Sequence, residues 1–131
     1  MEANIGDIVQ IKYSDFDGKE TEGMFLIYGK DPAPLTSFYA VKVCTRSISF
    51  EVPILKSDFD FLDHDSFINC ICQQKFRVDQ IKHRWGMVNT TVLAKVRKQL
   101  QNISIKIDDQ LESEIKRQNI IAKINTKSNV F

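Results

Sequence analysis

Along the first two thirds of the chain, apolar residues recur in short runs with a period near two; over the last third they recur every three or four positions. Residues 6–13 place Ile8, Val9, Ile11 and Tyr13 in a β-rich run, which predicts a first strand. Residues 14–23 are polar and acidic around Asp17-Gly18, so the chain is expected to reverse there through a loop longer than the minimal two residues. Residues 24–28 are continuously apolar, as in a strand buried on both faces, and residues 29–35, with Pro32 and Pro34, end it. Further strands are predicted over 37–45, 49–55 and 67–73, with the Asp-rich stretch 58–65 as a turn or a single helical turn. Five or six short strands without intervening helices fit a compact barrel or curled sheet.

The period changes after Asn89, a plausible N-cap. Val92, Leu93, Val96, Leu100 and Ile103 recur at helical spacing, predicting an amphipathic helix over 90–102. Ile107, Leu111, Ile115, Ile121 and Ile124 predict a second helix. Asp108, Asp109 and Glu112 lie near its start and basic residues near its end, as the helix dipole prefers. Its apolar stripe is expected to dock on the domain itself rather than on a partner chain.

A chain of 131 residues, 43% hydrophobic, supports one ordinary core, and few prolines and glycines argue against disorder. The expected division is a barrel with its closing helix over 1–104 and a helical extension over 105–131. Net charge is only +1, but residues 1–64 sit at −5 and residues 65–131 at +6. Between Lys75 and Lys98, seven cations face the single acid Asp79, which makes either a solvated face or an anion-binding surface. Three cysteines, with Cys70 and Cys72 one residue apart, form neither a disulfide framework nor a zinc pair. Reduced, buried thiols in a cytoplasmic protein fit them best. No apolar run is long enough to cross a bilayer, and the N-terminus has no secretion signal pattern.

Three stretches in order carry a family resemblance: Gly6-Asp7-Ile8-Val9; Val41-Lys42-Val43-Cys44-Thr45 with Phe50-Glu51-Val52 after it; and Asp65-Ser66 through Cys72-Gln73-Gln74-Lys75-Phe76-Arg77-Val78-Asp79. Over about residues 5–103 the chain resembles the MazF/PemK toxins. The resemblance implies a mainly β fold, an SH3-like small β-barrel (MazF/PemK/CcdB-like) with C-terminal helices. It also implies a homodimer, an antitoxin partner, and metal-independent cleavage of single-stranded RNA by the ribose 2′-hydroxyl, with no cofactor. Two of the family's positions differ. Glu22-Gly23 stands where Arg-Pro is usual before the second strand, and Gln73 replaces the acid of Cys-Asp-Gln.

Carried over residue by residue, Thr45 matches the catalytic threonine, and Glu20 matches an acid that serves as base or shapes the RNA groove. Arg46 is the candidate phosphate cation, with Ser47 beside it. Lys75, Arg77, Lys82 and Arg84 are RNA-binding candidates, and the first two can also compensate for the missing arginine. Each has an ordinary alternative as a strand-end hydroxyl or a solvated charge. His83 is a weaker acid–base candidate, His64 reads as a surface residue, and Trp85 reads as core or, with Phe76, as a base-stacking ring. Three functions remain open: an RNA-cleaving toxin, a catalytically degenerate relative that binds protein or RNA, and an SH3-like module of unrelated ancestry.

Overall fold

The computed structural model describes residues 2–32 and 36–129, with only the backbone at 106–108 and 124–129. Pro34 and the side chains of Ile107, Asp108 and Ile124 therefore lie outside the described residues. The described residues form six strands: β1 (Asp7–Ser14), β2 (Glu20–Lys30), β3 (Ser37–Cys44), β4 (Glu51–Ile54), β5 (Ser66–Arg77) and β6 (Ile81–Met87). A single 3₁₀ turn joins β5 to β6, and one helix, α1 (Thr90–Asn129), ends the chain. Compact units comprise Met1–Leu100 and Gln101–Phe131.

All strand pairs described are antiparallel, in the order β4-β5-β3-β2-β1-β6. Backbone hydrogen bonds do not close the expected barrel; β4 and β6 are edges of a single sheet. Period-two alternation puts Val9, Ile11, Phe25, Ile27, Phe38, Ala40 and Phe76 in one buried cluster. The opposite face is apolar too. Ile8, Leu26 and Val41 lie in one cross-strand row and Met24, Val43, Ile68 and Val52 in another, and all but Met24 are buried. Burial on both faces explains the uninterrupted apolar run of β2. Pro53, lacking a backbone donor, sits in edge strand β4.

The strands outrun their sequence signals. The reversal between β1 and β2 is confined to residues 15–19. There Asp15 Oδ1 accepts from the backbone N–H groups of Asp17 (3.0 Å) and Lys19 (2.9 Å), and Gly18 takes φ 76°. Glu20 therefore opens β2 rather than sitting in the loop, and β5 runs on to Arg77, past the expected end at residue 73.

Asn89 caps α1, its Oδ1 accepting from Val92 N–H at 3.0 Å. The expected break between two helices is absent. Residues 103–107 contain neither Gly nor Pro, and acids that favour a helix start contribute too little to interrupt one already formed. Leu111, Ile115 and Ile121, expected to be covered by the domain, are exposed. Glu114 and Gln118, hydrogen-bonded to each other, interrupt their stripe. No described helix is long and apolar enough to cross a membrane.

Gly86 lies opposite Ile8, where the Phe61 ring passes over the sheet. A Cβ at Gly86 would stand 2.4 Å from Phe61 Cδ1. Gly86→Ala is therefore expected to destabilise the fold by about 1–3 kcal/mol, measured by urea unfolding. A midpoint equal to that of the parent protein would show that Phe61 does not pack there.

Candidate functional site

Because β3 ends at Cys44, Thr45 is the first residue of the loop that turns toward β4. Thr45, Arg46 and Ser47 are exposed, while Phe50, at the far end of the loop, is held at φ 49°, in the left-handed region. Beneath the loop lies Asn69 of β5, fully buried. Its Oδ1 accepts from Ile48 N–H at 2.8 Å, and its Nδ2 lies 3.1 Å from both Arg46 O and Cys44 Sγ. Phe50 O accepts from Cys70 N–H at 3.3 Å.

Thr45 borders a recess of about 190 Å³ between the 61–64 segment and the strands, shared with Met24, Cys44, Phe61, His64 and Trp85. Trp85 is 41% exposed, so the expectation of a core tryptophan is corrected. It lies on an edge strand whose side chains are mostly exposed, and its indole N–H donates to Gln10 Oε1 at 3.3 Å. The His83 ring meets it edge-on at 4.4 Å. Phe76, by contrast, is core, packed against Tyr13, Phe25 and Phe38, and has no free face for a base.

The remaining candidates lie elsewhere in the unit. Glu20, Arg77 and Lys82 line a groove of about 420 Å³ with Lys12 and Asp79. Neither they nor Arg46, Lys75 and Arg84 line the Thr45 recess. Most of these charges are already paired: Lys12 with Glu20 at 3.0 Å, Lys75 with Asp31 at 2.7 Å, Arg77 with Asp79 at 3.1 Å, and Arg84 with buried Asp7 at 2.8 Å. Hydrogen bonds from Lys75 and the Tyr39 hydroxyl hold the Asp31 carboxyl below its ordinary range. The same pairing raises Lys75, chiefly through its hydrogen bond to Asp31. Among the described residues, Arg46 and Lys82 have no ion pair.

Two residues of the site carry no local sequence signal. Asn69 reads as an ordinary strand residue because its partners lie 21 to 25 positions away. His64 reads as a turn residue between two aspartates, and folding brings it to the recess that Thr45 borders. Burial pushes the Cys70 thiol up to about 11, as suits a packed hydrophobe rather than a nucleophile. Cys44 and Cys72 are only partly buried, and all three thiols are free. Among the described residues no three His, Cys, Asp or Glu side chains gather in a metal-holding group.

No family model matches the sequence, and no curated protein matches it. Solved structures do match the fold. A MazE–MazF complex from Deinococcus radiodurans aligns over 79% of this chain and 96% of its own, at 16% identity and a TM-score of 0.61. An endoribonuclease in complex with its cognate antitoxin, from a mycobacterial species, covers 76% of this chain and 93% of its own at 19% identity and 0.59. The Mycobacterium tuberculosis toxin MazF-mt6 gives 73% and 93% at 17% identity and 0.59. The chain has a MazF/PemK-like fold.

Proposed function

We propose that this MazF-like chain is the toxin of a toxin–antitoxin pair, a cytoplasmic endoribonuclease that cuts single-stranded RNA at the Thr45–Arg46 loop without a metal. The observation that carries the reading is the placement of Thr45. Its exposed side chain borders a recess that also holds His64 and Trp85, and the next residue of the loop, Arg46, is exposed and has no ion pair among the described residues. In the reaction the ribose 2′-hydroxyl attacks the adjacent phosphorus while the bond to the 5′ oxygen of the next nucleotide breaks. The products are a 2′,3′-cyclic phosphate and a 5′-hydroxyl. Such a path needs a proton acceptor, a proton donor for the leaving oxygen, and positive charge for the crowded phosphate.

Arg46 supplies the charge in this reading, and the Thr45 hydroxyl donates to a non-bridging oxygen. Imidazole suits proton transfer near neutral pH, which gives His64 that task ahead of Glu20, whose carboxylate is tied to Lys12 in another groove. Exposed Trp85 offers a ring to a neighbouring base. Lys82, without an ion pair among the described residues, offers charge to RNA in the groove it shares with Lys12 and Arg77, with Lys75, Arg77 and Arg84 contributing less because carboxylates already hold them. An antitoxin partner completes the proposal, in line with the toxin–antitoxin complexes whose fold this chain shares, and a homodimer is the assembly that the MazF/PemK resemblance implies.

One observation favours a second reading, a relative that binds RNA or protein without cutting: no Lys or Arg lines the recess itself, and Glu22-Gly23 precedes Met24 at its wall. Incubating the protein with mixed-sequence RNA in chelator separates the two. Cyclic-phosphate ends are expected, and Thr45→Ala should slow their formation about 10- to 100-fold, the effect of one lost hydrogen bond in the transition state. Folded protein that leaves the RNA intact at high concentration supports the non-cutting reading.

A further inference from the structure

We infer that Asn69 is a positioning residue of the proposed nuclease: it acts through the Thr45–Ser47 loop, without touching RNA, by holding that loop in its cleavage-competent shape. The inference rests on the ribonuclease reading for its catalytic half and on geometry alone for its structural half.

An amide deep in a sheet costs free energy unless its hydrogen bonds are made. Asn69 lies on β5 between Lys42 of β3 and Glu51 of β4, the two strands that the loop connects. Its side chain has no exposed surface, and its amide bonds reach mainly into that connection. The carbonyl takes Ile48 N–H, and the NH₂ group is shared between Arg46 O and Cys44 Sγ, with a longer contact of 3.4 Å to Phe67 O of its own strand. Three alternate positions of the connection, 44, 46 and 48, are thereby drawn onto one buried group, while the side chains of Thr45, Arg46 and Ser47 remain exposed.

Sheet pairing alone does not dictate this arrangement. The connection ends at Phe50 in a left-handed conformation that a bulky residue adopts only when its surroundings enforce it. Cys70, the neighbour of Asn69, holds the Phe50 carbonyl. Two successive residues of β5 thus fix both halves of the loop. A leucine at position 69 would keep the branched outline, with somewhat more bulk, and remove every polar tie that the side chain makes. The freed Ile48 N–H belongs to an exposed residue and can turn to water, and the Arg46 carbonyl keeps only its bond from the Cys44 thiol at 3.2 Å, so the loop should loosen while the sheet persists. Displacement of a catalytic group by about 1 Å is enough to slow a reaction roughly 100-fold.

The test compares the full chain with its Asn69→Leu variant in two assays. Trypsin cleavage after Arg46, identified by fragment mass, reports the loop directly and needs no RNA. The variant is expected to be cut at least about tenfold faster there, with other tryptic sites unchanged. In the RNA assay its kcat is expected to fall about 100-fold while KM changes less than about threefold, a split that general destabilisation would not produce. Equal cleavage after Arg46 in both proteins overturns the positioning role. So does faster cleavage with unaltered kcat. If the parent protein cuts no RNA, the nuclease reading fails by itself, and the trypsin result still decides whether Asn69 holds the loop. Should Asn69→Leu not fold, amide exchange in the unmodified protein decides instead. Ile48 N–H must exchange far more slowly than Ser47 N–H, and equal rates overturn the inference.

Discussion

Arg46→Gln is expected to lower kcat for RNA cleavage about 1,000-fold, the largest activity loss of any single substitution at this site. The reason is local. Of the cations near the sheet, Lys75, Arg77 and Arg84 are each committed to a carboxylate, whereas Arg46 adjoins Thr45 with no ion pair among the described residues. Where the MazF/PemK resemblance leads one to expect an arginine before β2, the chain has Glu22-Gly23, so in the proposed reaction one guanidinium would do the work that a second would share. Arg46→Lys keeps the charge but loses the forked donor geometry, and it should retain an intermediate rate. Single-turnover cleavage of a fixed RNA, with saturation confirmed for each variant, is the measurement. A rate within a fewfold of the parent for Arg46→Gln would move the phosphate site away from this loop.

Removing the Arg84 guanidinium is expected to destabilise the fold at least as much as Gly86→Ala does. Asp7 has no exposed surface, and among the described residues its only ionic contact is Arg84 Nη2 at 2.8 Å from Oδ1 and neither carboxylate oxygen has a hydrogen bond of good geometry. Arg84→Met would strand a buried charge, a change that costs about 3–5 kcal/mol in comparable sites; the partly exposed guanidinium places the expectation near 3 kcal/mol. Urea unfolding of Arg84→Met and of the Asp7→Asn/Arg84→Met double variant tests the idea. The double variant should regain part of the loss, since it no longer buries an unpaired charge. If Arg84→Met alone is as stable as the parent, the pair contributes nothing and water must reach Asp7. Arg84 is accordingly better read as a partner of Asp7 than as a free hand for RNA.

Much of this molecule was legible in the sequence because the signals were local. Strands around Ile8–Ile11, Met24–Tyr28 and Phe38–Val43 announce themselves by their apolar runs, and Asn89 announces the start of α1. β6 was harder to read, since Lys82-His83-Arg84-Trp85 shows a basic cluster in place of alternation; an edge strand with both sides largely exposed leaves no period. Sheet closure was illegible for a related reason. Hydrophobic patterning says which faces are buried and nothing about whether the first and last edges meet.

The candidate site divided the same way. Thr45 and Arg46 are candidates through flanking residues that resemble a family motif, whereas Asn69 and His64 reach their places only through contacts made by folding. Trp85 misled because large aromatics in small domains are usually buried, and the outcome turned on its edge position and on a hydrogen bond to Gln10. The supposed second helix misled because a cluster of acids imitates a start signal inside an unbroken helix.

With Ile8, Leu26 and Val41 packed on one side and Val9, Phe25 and Phe38 on the other, the middle of the sheet has no wall to lend to a ligand. Divergence in what such a molecule recognises is then easiest to write at the strand tips, at residues 15–19 and at the exposed positions of 45–50 and 55–65, which can change chemistry without disturbing packed neighbours. Grafting those positions together with edge strand β6, which carries Lys82 and Trp85, between proteins of this architecture would exchange their selectivity, while exchanging the packed middle strands would exchange only their durability.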